Sequence, residues 1–198
     1  MLNLASEIID FTPPLVIMFY VFVIFSYVAA GTRTKTNIKI GTIALLFVFI
    51  AVALLQTYAQ YSVWHNDPVS KSFLPPTTPI TYFLQYSFTH FWFSRLISIA
   101  FSLLFYLFLR LLAKRRPWLF LDGETELGFV CALIAGWPGF VVFLPLVFIA
   151  ALPWTIFRQY VLKQERTTLG PAFLLAAGVV LLAGGWLIAR LGLGVLRI

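Results

Sequence analysis

The sequence predicts an all-α, polytopic membrane protein with about six transmembrane helices, and three observations carry that prediction. Of its 198 residues, 61% are apolar and only 11% charged, and the mean hydropathy of +0.95 lies far outside the range of a water-facing domain. The apolar residues gather into long runs, as required of helices that must cross a hydrocarbon core about 30 Å thick with about 20 residues each. Nearly all the basic residues fall in short segments between those runs, so the formal charge of +7 reads as topology rather than as a nucleic-acid surface.

The first span is expected over 13–30, opening on Pro13-Pro14, where a missing N–H costs little at a helix start. The second is expected over 38–61 and the third over 96–112, which runs out into Lys114-Arg115-Arg116, a cluster that must stay at the surface. An apolar run from Leu127 to Phe157 follows, too long for one span and broken by Gly136-Trp137-Pro138-Gly139. A turn there gives spans 124–136 and 139–157, and it places Arg158, Lys163 and Arg166 on the same side as Arg33, Lys35, Lys39 and Lys114 to Arg116, as the positive-inside rule prefers. The last span, 171–189, contains Gly178, Gly184 and Gly185, small residues of the kind that let helices approach closely in lipid. Between the second and third spans, 64–94 reads as a long extracytoplasmic loop, rich in proline at its start and in aromatic residues after it. Its part 80–93 suits an amphipathic element at the interface, and the whole reads as an aromatic belt. Residues 1–10 carry Glu7 and Asp10 and no basic n-region, so no cleaved signal peptide is expected.

Ionisable groups near membrane depth are costly and therefore candidates for function. The chain has seven carboxylates, and the one close group is Asp122, Glu124 and Glu126, at the start of the fourth span. Paired-carboxylate catalysis needs both acids aimed at one water. On a helix starting near Gly123, Glu124 and Glu126 point about 200° apart, and Asp122 falls at or near the N-cap. These acids also suit the plain role of capping free N–H groups and complementing the helix dipole. His90 is a candidate for a porphyrin-type ligand, set against an interfacial hydrogen bond; His65 belongs to a turn, and neither histidine suits a bis-histidine haem. Arg95, Arg110 and Arg190, at span ends, are expected to snorkel to headgroups. Cys131 lies in an apolar stretch and offers neither a disulfide framework nor a metal site, and no phosphate-binding loop or nucleophile elbow is present.

The stretch Gly123-Glu124-Thr125-Glu126-Leu127 through Gly136-Trp137-Pro138-Gly139, with Leu169-Gly170-Pro171-Ala172-Phe173-Leu174 after it, resembles the membrane half of bacterial type IV prepilin peptidases. That family carries a GxGD motif, a glycine-tryptophan turn, and a phenylalanine-glycine-proline opening its last helix. On that pattern Gly123 matches the second glycine, Glu124 the catalytic aspartate, Glu126 the lysine, and Leu121 stands where the first glycine would be. The family's other aspartate precedes a basic segment; here Asn37 matches that segment's asparagine and Ala29 falls at the acid. No acid lies between Pro13 and Tyr61, and the family's cytoplasmic cysteine-rich domain has no counterpart. The resemblance spans the chain in helix order, with its specific residues in about the last 80. It implies a relative that has lost one carboxylate and lengthened the other, and so lacks the paired geometry that activates water.

The resulting expectation is a non-catalytic structural or binding subunit of a membrane assembly in the bacterial cytoplasmic (inner) membrane, with both termini extracytoplasmic. Its partners are membrane lipids and other membrane-protein subunits, with no nucleic acid, no cofactor and no metal. The alternatives are an active protease using Glu124 with Asp122, and a lipid- or pigment-contacting accessory subunit or small transporter working between its spans.

Overall fold

The structure, a computed structural model, describes residues 12–29, 34–116, 120–160, 163 and 168–196. Arg33, Glu165 and Arg166, and the chain ends that bear on terminal orientation, lie outside them. Among the described residues the chain is mostly helical, without a strand: α1 (Thr12–Ala29), α2 (Thr34–Asn66), α3 (Ile80–Ser87), α4 (Phe93–Arg115), α5 (Glu124–Ala135), α6 (Gly139–Tyr160) and α7 (Gly170–Arg190). Four helices are long and apolar enough to cross a membrane, Thr36–Asn66, Ile80–Arg115, Gly139–Tyr160 and Gly170–Arg190, and Pro14–Val28 is a shorter apolar one. The protein is an all-α polytopic membrane protein.

Side-chain contacts fix the direction of each helix. Tyr20 Oη donates to the Leu174 carbonyl at 2.7 Å while Tyr27 meets Glu124, so α1 runs against α7. The pairs Gln56–Arg95 and Thr57–Trp92 set α2 against the helix that continues into α4. Ser98 meets Trp137 and Leu109 lies at Gly128, which sets α4 against α5. Gly139 lies at Val180 and Arg158 at Thr168, which sets α6 against α7. The junctions α1–α2, α4–α5 and α6–α7 therefore share one end of the bundle. Lys39, Lys114, Arg115, Arg116, Arg158 and Lys163 belong to that basic end.

The Gly136-Trp137-Pro138 break is a turn that separates α5 from α6, with Gly136 at φ 60° and its N–H donated to the Ala132 carbonyl. With 12 residues, α5 is about 18 Å long, well short of a hydrocarbon core. It survives because it faces protein rather than lipid: α1, α2, α4, α6 and α7 all pack on it, and eight of its residues are buried. A helix that is apolar on every side belongs in such an interior. Beside it Phe105 meets Phe140, Phe143 and Phe173 edge-on, at centroid distances of 5.9, 5.9 and 6.1 Å, and joins α4, α6 and α7. In lipid this close packing, rather than escape from water, is what holds helices together. Of the three glycines expected to admit neighbours in α7, only Gly178 meets another helix, beneath the Tyr20 hydroxyl; Gly184 faces its own Val180 and Gly185 faces nothing within 4 Å.

The region expected as a loop over 64–94 is different. Irregular chain is confined to the proline-rich stretch between Asn66 and Ile80, which includes a short 3₁₀ turn, Ser70–Phe73. From Pro79, which stands at the N-cap of α3, no proline interrupts the chain until Pro117, and α3 passes through a π-helical turn, Phe88–Trp92, directly into α4. At 33 residues α2 is about 50 Å long, so with α3 it extends beyond a bilayer core. There Trp64, Leu74 and Phe83 form a second small core with Val63 and Tyr86 around it. The aromatic residues read as a belt are thus, in part, the interior of this hairpin. Asp67 closes its turn by accepting from the Ser70 hydroxyl and, at 2.9 Å, from the Ser70 N–H. These bonds hold the Asp67 carboxyl below the usual carboxylate range.

Candidate functional site

Glu124 is the first residue of α5, and Gly123 before it sits at φ 93°, a left-handed conformation that glycine adopts without penalty. That turn folds the Glu124 side chain back into the protein, where the residue is only 1% exposed. Its Oε2 accepts the Leu121 N–H at 3.0 Å and the Leu169 N–H at 3.3 Å, and its Oε1 accepts the Gly170 N–H at 2.9 Å. The Tyr27 hydroxyl donates to Oε1 at 3.5 Å. The Glu124 N–H in turn donates to the Leu121 carbonyl at 3.1 Å, a reciprocal arrangement akin to a capping box.

Capping is therefore the role of this acid, but in another register than the sequence suggests. Glu124 serves the turn behind it and the first N–H groups of α7, a different helix, where its charge also meets the positive end of the dipole. Pro171, next in α7, has no N–H to satisfy. The N-cap of α5 is Gly123, without any side-chain cap; Asp122, expected there, is exposed at the surface. Glu126 is half-buried and accepts from the Thr125 hydroxyl at 2.7 Å. Among the described residues no hydrogen bond of Glu124 involves a second carboxylate. The position matched to the other family acid, Ala29, ends α1, and the residues after it, 30–33, lie outside the described chain.

Four contributors to this junction were not among the candidate site residues read from the sequence. Tyr27 is one aromatic among many, Leu169 and Gly170 act through their backbones, and Arg158 donates to the Thr168 hydroxyl beside them. Gly170 admits the carboxylate because a Cβ there would stand 2.3 Å from Tyr27 Oη and 2.9 Å from Glu124 Oε1.

The other candidates lie apart. His90 is exposed in the π turn, with its Nδ1 2.9 Å from the Tyr86 carbonyl and 3.1 Å from Thr89 Oγ1. His65 ends α2 and stacks on Tyr61. Arg110 lies over Tyr106 and Arg190 over Trp186, both exposed. Arg95 has protein partners: its Nη2 donates to Gln56 Oε1 at 2.7 Å and its Nη1 to the Phe91 carbonyl. Cys131 is fully buried. Among the described residues no three His, Cys, Asp or Glu side chains gather as metal ligands would.

In comparisons with protein-family models, with curated proteins and with solved structures, nothing matches the chain.

Proposed function

We propose that this chain is a non-catalytic, prepilin-peptidase-like membrane protein that serves as a structural or binding subunit of a larger assembly in the bacterial inner membrane. One observation carries the reading: both oxygens of Glu124 are occupied by backbone N–H groups that close a helix junction. A general acid or base must reach a water or substrate proton, and this carboxylate is committed elsewhere. The two stretches that carry the family resemblance also touch, through the Gly170 N–H and Glu124 Oε1. By the positive-inside rule the basic end faces the cytoplasm, which puts both chain ends on the opposite side.

The test is the Glu124→Gln variant, followed both by cleavage of prepilin and signal-peptide substrates and by unfolding in detergent. The amide keeps the volume but presents NH₂ to N–H donors, so a loss of about 2 kcal/mol in stability is expected, with no cleavage by either form. Cleavage by the wild type that vanishes in a variant of undiminished stability would establish the protease instead. Purification from native membranes is expected to yield stoichiometric partners, and a strictly solitary monomer counts against a subunit role.

A further inference from the structure

Above the α5–α6 turn, toward the end of the bundle opposite the basic junctions, lies a cavity of about 460 Å³. Its polar lining includes Arg95, Gln56, His90 and Ser98, and its apolar lining includes Val16 and Phe49. Arg95 is the informative residue. A guanidinium stays protonated in any protein environment, and where the protein partly encloses it, as here, a counter-charge is favoured. Its partners, Gln56 Oε1 and the Phe91 carbonyl, are neutral, and among the described residues no carboxylate pairs with it. Among the described residues three of its five N–H groups have no partner. Gln56 is only 9% exposed; its oxygen is taken by Arg95, and its amide NH₂ has no hydrogen-bond partner among the described residues. Among the described residues the polar side of this cavity thus presents donors and positive charge, with no acid to receive a cation.

Depth selects the ligand. Arg95 precedes Arg115 by 20 residues on one continuous helix, a rise of about 30 Å, which is one hydrocarbon thickness from the basic end. Arg95 therefore stands at the level of the opposite headgroups, while Phe49, seven residues before Gln56 on α2, lies about 10 Å deeper.

We propose that this cavity binds the phosphate of an anionic phospholipid, with Arg95 and Gln56 as its donors and the Val16–Phe49 wall against an acyl chain. Zwitterionic headgroups are disfavoured because the described lining offers no carboxylate for their ammonium. The proposal is independent of whether Glu124 is catalytic.

Dioctanoyl phosphatidylglycerol, dioctanoyl phosphatidylcholine and inorganic phosphate are titrated into the detergent-purified full chain, read by native mass spectrometry and by tryptophan fluorescence, Trp137 being part of the lining. Phosphatidylglycerol is expected to bind at least about tenfold more tightly than phosphatidylcholine. Arg95→Gln should weaken it about tenfold, Arg95→Lys about threefold because the fork is lost, and Arg110→Gln less than twofold. Gln56→Met, which removes the amide donors at similar volume, should weaken it about threefold and stands in if Arg95→Gln fails to fold. Equal binding of the two lipids, or phosphatidylglycerol affinity indifferent to Arg95 and Gln56, overturns the site. Inorganic phosphate binding as tightly as phosphatidylglycerol overturns the lipid assignment in favour of a soluble anion.

Discussion

Glu124 and Gly170 define each other at the smallest scale. The carboxylate reaches the start of α7 only because residue 170 has no side chain, and the Tyr27 ring fills the space where one would be. Gly170→Ala is therefore expected to destabilise the protein by about 1–3 kcal/mol through overpacking against a ring held by its own contacts. Gly185→Ala, on the same helix with nothing within 4 Å, should be neutral or slightly stabilising. Unfolding of both variants in the same detergent measures the difference, and equal effects would mean that the junction is looser than its contacts imply. The sequence singled out Glu124, yet its capping partners were illegible, because three of them are backbone N–H groups brought in from Leu121 and from the start of α7.

Among the elements, α5 is the one that the chain could not sustain alone. It is too short to span and carries a glutamate at its start, so it depends on its neighbours at both ends. At the far end the Trp137 N–H donates to Ser98 Oγ at 2.7 Å, while Ser98 donates to the Ser94 carbonyl at 2.8 Å. Ser98 is buried, so Ser98→Ala leaves the Trp137 N–H without its partner and is expected to cost about 1–3 kcal/mol. Ser94→Ala, which leaves both bonds in place, should cost less than 1 kcal/mol; thermal unfolding of the pair distinguishes a tether at the turn from general polarity on α4. The turn itself was legible in Gly136-Trp137-Pro138-Gly139, since glycine and proline punctuate a helix locally. The encasement of α5 was not, because apolar runs read alike whether they face lipid or protein. The continuity of α3 with α4 was missed for a related reason: aromatic crowding suggested an interfacial segment, whereas the absence of proline after Pro79 was the stronger signal.

For the molecule as a whole, alternating helix directions put the proline-rich stretch after Asn66, the α5–α6 turn and the tail after Arg190 at one end, and the basic junctions at the other. The tail is held there by the Trp137 indole, which donates to the Leu196 carbonyl at 2.8 Å. Single cysteines placed at Val69, Val195 or Lys163 in a Cys131→Ala background report this directly, because all three positions are exposed. Val69 and Val195 should label together with an impermeant maleimide from one face of sealed membranes, and Lys163 only from the other. Labelling of Lys163 with the other two would require a different path through the bilayer. Among the described residues only α2 and the long helix Ile80–Arg115 extend well past bilayer thickness, and their own small core around Trp64 explains how that extension holds together outside lipid.

Composition and the spacing of basic clusters determined by themselves that this is an all-α membrane protein, because lipid leaves a backbone few ways to satisfy its hydrogen bonds. They also pointed to the charged junctions sharing one end of the bundle. Only the tertiary structure decided what the buried polar groups do: that Glu124 closes a junction between α1, α5 and α7, and that Arg95 shares a cavity with Gln56. Such pairings join residues 39 to 97 positions apart in sequence, and no local pattern records which distant donor a carboxylate or an amide will meet once the helices have packed.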